Sequence, residues 1–327
     1  MFIQSEATRK SHFSTCEEDR PLFAQFWGND PDTLLEACKY VEDQCDAVDI
    51  NLGWPQGIAR KGNYGSFLLE QTELVLSLVK KLHENLKIPV TCKIRCLRTE
   101  EETLDLCRKI EAAGWSVLTV HGRLKEHKKN LIGPANWEII KKIKETLTIP
   151  VIANGGIRSL KDVEKCLKYT GCDGVMTSEA ILEYPAFFDP TIHHIEQVMY
   201  EYVEFWEKYD ENINTCKSHL YKSLYSGFKK HIDIRDNFTE SRTYKAIKDV
   251  VKELAELRKD EDPESKIEWY HRYWKEHEEE LAYTDMGYSE FISMMDQRWH
   301  NTKIASTKPE EDQIDGIGGL FDNDEEY

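Results

Sequence analysis

The residues able to do chemistry stand at the ends of apolar, strand-prone runs. Gln25 lies in 21–26, Asn51 in 47–52, Lys93 and Arg95 close 89–95, His121 ends 117–121 with Arg123 just beyond, and Asn154 ends 150–154 ahead of Gly155-Gly156. Cations in such places stabilise developing negative charge. Backbone N–H groups of a Gly-rich turn cradle phosphate, although Gly155-Gly156 is equally read as a purely structural turn. Lys93, set between Cys92 and Ile94, reads as functional rather than as a solvated cation. Asp49-Ile50-Asn51-Leu52-Gly53-Trp54-Pro55-Gln56 is a buried strand that delivers Asn51 and a tight turn to a ligand.

The elements that must position these side chains alternate strand and helix. Strands are expected at 21–26, 47–52, 89–95, 117–121, 150–154 and 174–177, and helices at 31–44, 71–86, 100–113, 137–147 and 160–170. Such alternation builds a parallel sheet covered by helices. No Gly-x-Gly-x-x-Gly follows a strand, so a dinucleotide fold has no support. In a (β/α)8 barrel the strand C-termini ring one face, where barrel active sites lie. The strand runs make six βα units rather than eight, so the expected fold is a TIM-type (β/α)8 barrel two strands short, with two open edges. Residues 1–190 form this incomplete barrel, 191–300 a helical domain, and 301–327 an acidic, disordered tail.

Composition narrows the class. Hydrophobic residues make up 40% and aromatics 11%, which suits a globular protein. No apolar run reaches membrane-span length, and the first ten residues lack the pattern of a secretory signal. Nine cysteines show no metal-ligand spacing and read as reduced thiols in cytosol or nucleus; no metal is expected. A formal charge of −17 opposes gross nucleic-acid binding, but acid concentrates in the tail. Two basic clusters remain: Arg123, Lys125, His127, Lys128 and Lys129; and Lys217, Lys222, Lys229, Lys230 and Arg235 with Tyr221 and Tyr225 interleaved. Cations mixed with aromatics suit RNA.

Several words in order carry a family resemblance: Gln25-Phe26, Asp49-Ile50-Asn51-Leu52-Gly53, Pro55-Gln56, Tyr64-Gly65, Thr91-Cys92-Lys93-Ile94-Arg95, Thr119-Val120-His121-Gly122-Arg123, Ile152-Ala153-Asn154-Gly155 and Gly174-Val175-Met176. Together they resemble the tRNA dihydrouridine synthases, in particular the eukaryotic subfamily acting on positions 16 and 17 of the D-loop. The resemblance runs from about residue 21 to 185 and more weakly to 260. It implies a barrel lacking its first two strands, FMN-dependent reduction of uridine to 5,6-dihydrouridine with NADPH as reductant, tRNA as partner, no membrane, no protein partner, and a cytoplasmic or nuclear location. Gln25, Lys93, His121, Asn154, Gly155, Gly156, Ser178 and Glu179 would hold the flavin. Ser178-Glu179 departs from the usual Gly-Arg and weakens the phosphate reading. Asn51, Arg95, Arg123, Lys217 and Lys229 would face the RNA. An Asn amide offers both a donor and an acceptor to a pyrimidine edge. Asn51 also reads as a simple turn cap.

The resemblance places the family's proton-donating cysteine at Trp54, and further cysteines at Trp27 and Trp115. Indole has no titratable proton to offer. Three such replacements imply either UGA codons for cysteine read as tryptophan, or a degenerate relative that keeps the barrel as an RNA-binding scaffold. A third reading is another FMN barrel oxidoreductase acting on a small pyrimidine, in the manner of dihydroorotate dehydrogenase.

Overall fold

The computed structural model describes residues 2–127, 132–267 and 283–306, with side chains through 301. Lys128, Lys129, residues 268–282 of the expected helical domain and the acidic tail beyond 306 lie outside the described residues.

Six parallel strands form one sheet: β1 Phe23–Phe26, β2 Ala47–Leu52, β3 Val90–Cys96, β4 Val117–Leu124, β5 Val151–Asn154 and β6 Gly174–Met176. Spatial order follows chain order without reversal. A doubly wound sheet would reverse at a switch point, so the winding is of the barrel type. Among the described residues the outer edges of β1 and β6 have no sheet partner. The strands are apolar runs because both faces are covered: Val48, Ile50, Leu52, Cys92, Ile94, Leu118, Val120, Val151 and Ala153 are buried.

Helices fill the crossovers at Pro31–Lys39, Thr72–Asn85, Glu100–Ala112, Trp137–Thr146 and Leu160–Thr170. Three start where the side chains of Asp30, Thr99 and Asn136 accept backbone N–H groups of the first turn. The first helix is shorter than expected, since residues 42–44 form a separate 3₁₀ turn. β4 runs to Leu124 rather than stopping at His121. Its register against β3 slips, Arg95 facing His121 but Cys96 facing Leu124. That bulge is possible because residue 122 is glycine: a Cβ there would stand 2.6 Å from the Asn136 carbonyl oxygen.

The chain divides into two compact units. The first holds the sheet and also the segment around 283–304; the second holds 177–267 with 158–160. The helix Tyr288–Ser306, expected from sequence to lie partly in the helical domain, belongs to the first unit because Tyr288, Phe291 and Met295 bury there. The second unit contains helices Ile195–Lys208, Ile213–Ser223, Tyr225–Lys230, Ile232–Glu240 and Tyr244–Leu257. Around its apolar core lies a buried ion cluster: Glu196 bonds Arg258 at 2.8 Å and Lys266 at 3.2 Å, all three fully buried. No helix among the described residues is long and apolar enough to cross a membrane. The same residues hold no group of His, Cys, Asp or Glu fit for a metal. All nine cysteines are free thiols.

Candidate active site at the strand ends

Sheet register places the sequence-derived residues side by side. Asn51 is level with Lys93, Arg95 with His121, and His121 with Asn154. A buried polar relay supports the first of them. Thr91 donates to Asp49 at 2.8 Å, Gln25 Nε2 donates to the other Asp49 oxygen at 2.8 Å, and Asn51 Nδ2 donates to Gln25 Oε1 at 3.0 Å. Asn51 Oδ1 then accepts the backbone N–H groups of Gly53 and Trp54, each at 3.0 Å. Asn51 is thus the turn cap, and its amide is committed to the protein. Asp49 is 5% exposed; burial pushes its carboxyl up, while Gln25, Thr91 and Lys93 pull it down. Sequence reading passed over Asp49 and Thr91 as site residues, although an acid inside an apolar strand was the available signal.

Lys93 lies beside this turn, its Nζ 3.8 Å from where a Cβ on Gly53 would stand. Its ammonium makes no hydrogen bond or ion pair to a described residue. Burial first, then Arg95 and Arg123, brings it down to about 8, opposed by Asp49.

Arg95 and Arg123 were read as RNA-facing, and their donors turn inward instead. Arg95 Nε donates to the Gly53 carbonyl at 2.9 Å, and Nη1 to the Leu124 and His127 carbonyls at 2.9 and 3.3 Å. Burial and Arg123 lower Arg95 to about 10. Arg123 is buried and donates from Nε to the Gly133 carbonyl at 2.6 Å. Its Nη1 meets His121 Nε2 at 3.0 Å. Guanidinium only donates, so that ring nitrogen accepts and His121 is neutral. Burial and the surrounding Arg95, Lys93 and Arg123 hold His121 well below the usual histidine range. The site is therefore a cationic cluster, with Arg123 buried, Lys93, Arg95 and His121 half-buried, and Asp49 as its acidic neighbour.

Asn154 Nδ2 donates to the Met176 carbonyl at 2.8 Å, tying β5 to β6. Gly155 and Gly156 take φ of 101° and 78°, the left-handed region. A Cβ on Gly155 would also stand 2.8 Å from Ala135 and 2.9 Å from the His121 ring. Ser178 and Glu179 are exposed and open the short helix Glu179–Glu183 of the second unit.

In the second unit, Lys217 departs from the expected RNA surface. It is 8% exposed, and its ammonium donates to the carbonyls of Thr239 and Ser241 at 2.8 and 2.9 Å, closing the end of helix Ile232–Glu240. A helix C-terminus with unsatisfied carbonyls draws such a cation in. Lys229 is exposed, its ammonium 5.9 Å from the Tyr225 ring.

Trp54 is half-buried. It packs with Trp27 and Tyr64, ring centroids 5.8 and 5.9 Å away. Trp115 is 2% exposed, and its indole N–H is the one buried side-chain polar atom among the described residues with no partner.

Residues 1–268 match the family model described as dihydrouridine synthase. A rat protein described as tRNA-dihydrouridine(16/17) synthase NAD(P)(+)-like is 38% identical over 264 residues, covering 80% of this chain and 60% of that protein. The Schizosaccharomyces pombe tRNA-dihydrouridine(16/17) synthase NAD(P)(+) is 40% identical over 275 residues, covering 79% of this chain and 69% of its own. The chain thus spans 55 to 60% of the length of the two rodent relatives. Among solved structures, FabK from Thermotoga maritima aligns at TM-score 0.33 and 17% identity over 56% of this chain and 48% of that one.

Proposed function

The chain belongs to the dihydrouridine synthase family, and on that footing we propose that it reduces uridine to 5,6-dihydrouridine in tRNA, with FMN as cofactor and NADPH as reductant. The observation that carries the reading is the largely inward-facing cation cluster at the strand ends. Lys93, Arg95 and Arg123 converge there, and the Lys93 ammonium has no described partner. Three cations share Asp49 as their acidic neighbour, so positive charge is in excess and the site is suited to an anionic group. FMN fits that donor set. Lys93, Gln25, His121, Asn154 and the Gly155-Gly156 turn would hold it. Bound there, FMN supplies hydride transfer.

The chain's own residues divide the remaining work. Lys93 offers a positive charge where negative charge develops. Neutral His121 offers a ring N–H from Nδ1. Arg95 fixes the Gly53–Trp54 turn, and Asn51 fixes it from the other side. Trp54 occupies the position of the family's proton donor and has no proton to give. The substrate position is D-loop 16 or 17, after the relatives' names, and the location is cytoplasm or nucleus, where tRNA is processed.

The test is dihydrouridine content of an unmodified tRNA incubated with the chain, FMN and NADPH, for wild type and Trp54→Cys. A general acid is worth roughly 10² to 10⁴-fold, so the cysteine variant should gain on that scale while NADPH-dependent flavin reduction stays level. Flavin reduction without any dihydrouridine in the variant would favour the second reading, a non-catalytic RNA-binding relative. The aromatic trio supports that alternative: Trp27 is exposed, half-buried Trp54 and Tyr64 pack beside it, and an exposed ring can stack on a base.

A further inference from the structure

The segment Tyr283–Asp296 lies beyond the residues matched by the family model, yet it packs onto the strand-end face of the first unit. It reaches the site along three lines. Tyr283 stacks on Trp137 at 3.5 Å between ring centroids and 2° between planes, and Trp137 Nε1 donates to the Gly155 carbonyl at 3.0 Å. Phe291, fully buried, meets the His127 ring edge-on at 5.6 Å, and the His127 carbonyl accepts from Arg95. The end of the Met295 side chain packs against Gly133, and the Gly133 carbonyl accepts from Arg123.

The attachment is specific. Tyr283–Thr284 pairs in parallel with Ala135–Asn136, and Asn136 Nδ2 donates to the Met286 carbonyl at 2.8 Å. The Tyr288 hydroxyl donates to the Leu97 carbonyl, and Arg98 forks onto both oxygens of Asp296 at 2.9 to 3.1 Å. Leu97 and Arg98 directly follow β3, which carries Lys93 and Arg95.

We propose that this segment is a positioning element of the site: it braces the carbonyls of His127, Gly133 and Gly155, and through them sets the orientation of Arg95, Arg123 and the glycine turn. A guanidinium is aimed by its acceptors. Holding those acceptors on a loop requires something packed behind the loop, and Phe291 and Met295 supply it. Phe291 and Met295 touch no group of the reaction and act only through the arginines.

Two measurements decide the proposal, and only the second rests on the functional reading above. Hydrogen–deuterium exchange of the unliganded chain should speed up about tenfold in peptides covering 53–54 and 124–127 for Phe291→Ala, with helix Thr72–Asn85 unchanged. Tyr288→Phe, which keeps the ring and removes only its hydroxyl, should show a smaller increase in the same peptides and guards against a misfolded alanine variant. Wild-type exchange at both peptides in both variants would overturn the proposal. Second, affinity for an unmodified tRNA transcript, read by anisotropy at fixed salt, should fall about fivefold in Phe291→Ala and recover in Phe291→Leu. In an Arg95→Ala background the Phe291→Ala loss should vanish. Losses that multiply in the double variant would overturn the route through Arg95. A wild-type chain that binds no tRNA would defeat the proposed function, and the exchange result would still decide this inference.

Discussion

Arg95 Nε donates to the carbonyl oxygen of Gly53 at 2.9 Å, so the guanidinium at the end of β3 holds the turn at the end of β2. Asn51 grips the same turn through the Gly53 and Trp54 N–H groups. Trp54 is therefore fixed from both sides, and its placement depends on two neighbouring strands at once.

Arg95→Lys should show that this clamp needs a fork rather than a charge. One ammonium cannot span the carbonyls of Gly53, Leu124 and His127. Leaving buried carbonyls unpaired costs about 1–3 kcal/mol each at most, so a loss of about 2–3 kcal/mol is expected in urea denaturation. Dihydrouridine formation by the Trp54→Cys chain should drop tenfold or more in the same background. Unchanged stability and activity would mean the clamp is dispensable.

Lys93 should make stability and cofactor affinity depend on pH in a defined direction. Its folded value of about 8 lies below the ordinary 10.5. Between those values the unfolded chain binds the extra proton, so stability rises with pH across about 8 to 10.5. Below 8 the full cost of the buried charge is present. Lys93→Met should therefore be the more stable protein at pH 7, by about 3 kcal/mol at 1.36 kcal/mol per pKa unit, and the advantage should fade by pH 10.5. Binding of an anion needs the charged form, so flavin affinity should weaken as pH rises through 8. Fluorescence titration of FMN against pH checks this; a flat profile would remove Lys93 from the binding role.

The two buried indoles should respond oppositely to the same change. Trp137 donates to Gly155, whereas Trp115 has no partner. Trp137→Phe gives up that bond and the Tyr283 stack, and should cost about 1–3 kcal/mol. Trp115→Phe removes an unsatisfied donor of similar cost, which offsets the smaller ring, and should leave the melting temperature unchanged or raised. Equal destabilisation of both variants would show that the unpaired N–H at Trp115 carries no penalty.

In the second unit, Glu196→Gln should be severe. The carboxylate neutralises two fully buried cations, Arg258 and Lys266. Breaking a buried pair from one side costs about 3–5 kcal/mol. Thermal melting of the full chain should show early loss of this unit, and a variant melting like wild type would contradict the assignment.

The sequence by itself determined the periodic features. Alternating apolar runs and amphipathic segments fixed six strands, their parallel pairing and the helices between them, because burial on both strand faces leaves a readable pattern. The ordered words around Asn51, Lys93, His121 and Asn154 identified the family, and strand ends located those residues on one face. Only the tertiary structure decided where the donors of Arg95, Arg123 and Lys217 point. Apart from the His121 ring that meets Arg123, the partners named above are backbone carbonyls that every residue possesses, so residue type carries no trace of them. It also decided that Tyr283–Asp296 returns to the first unit. That return rests on single contacts between positions more than a hundred residues apart, Phe291 with His127 and Tyr288 with Leu97, and no local pattern encodes a pairing at such separation.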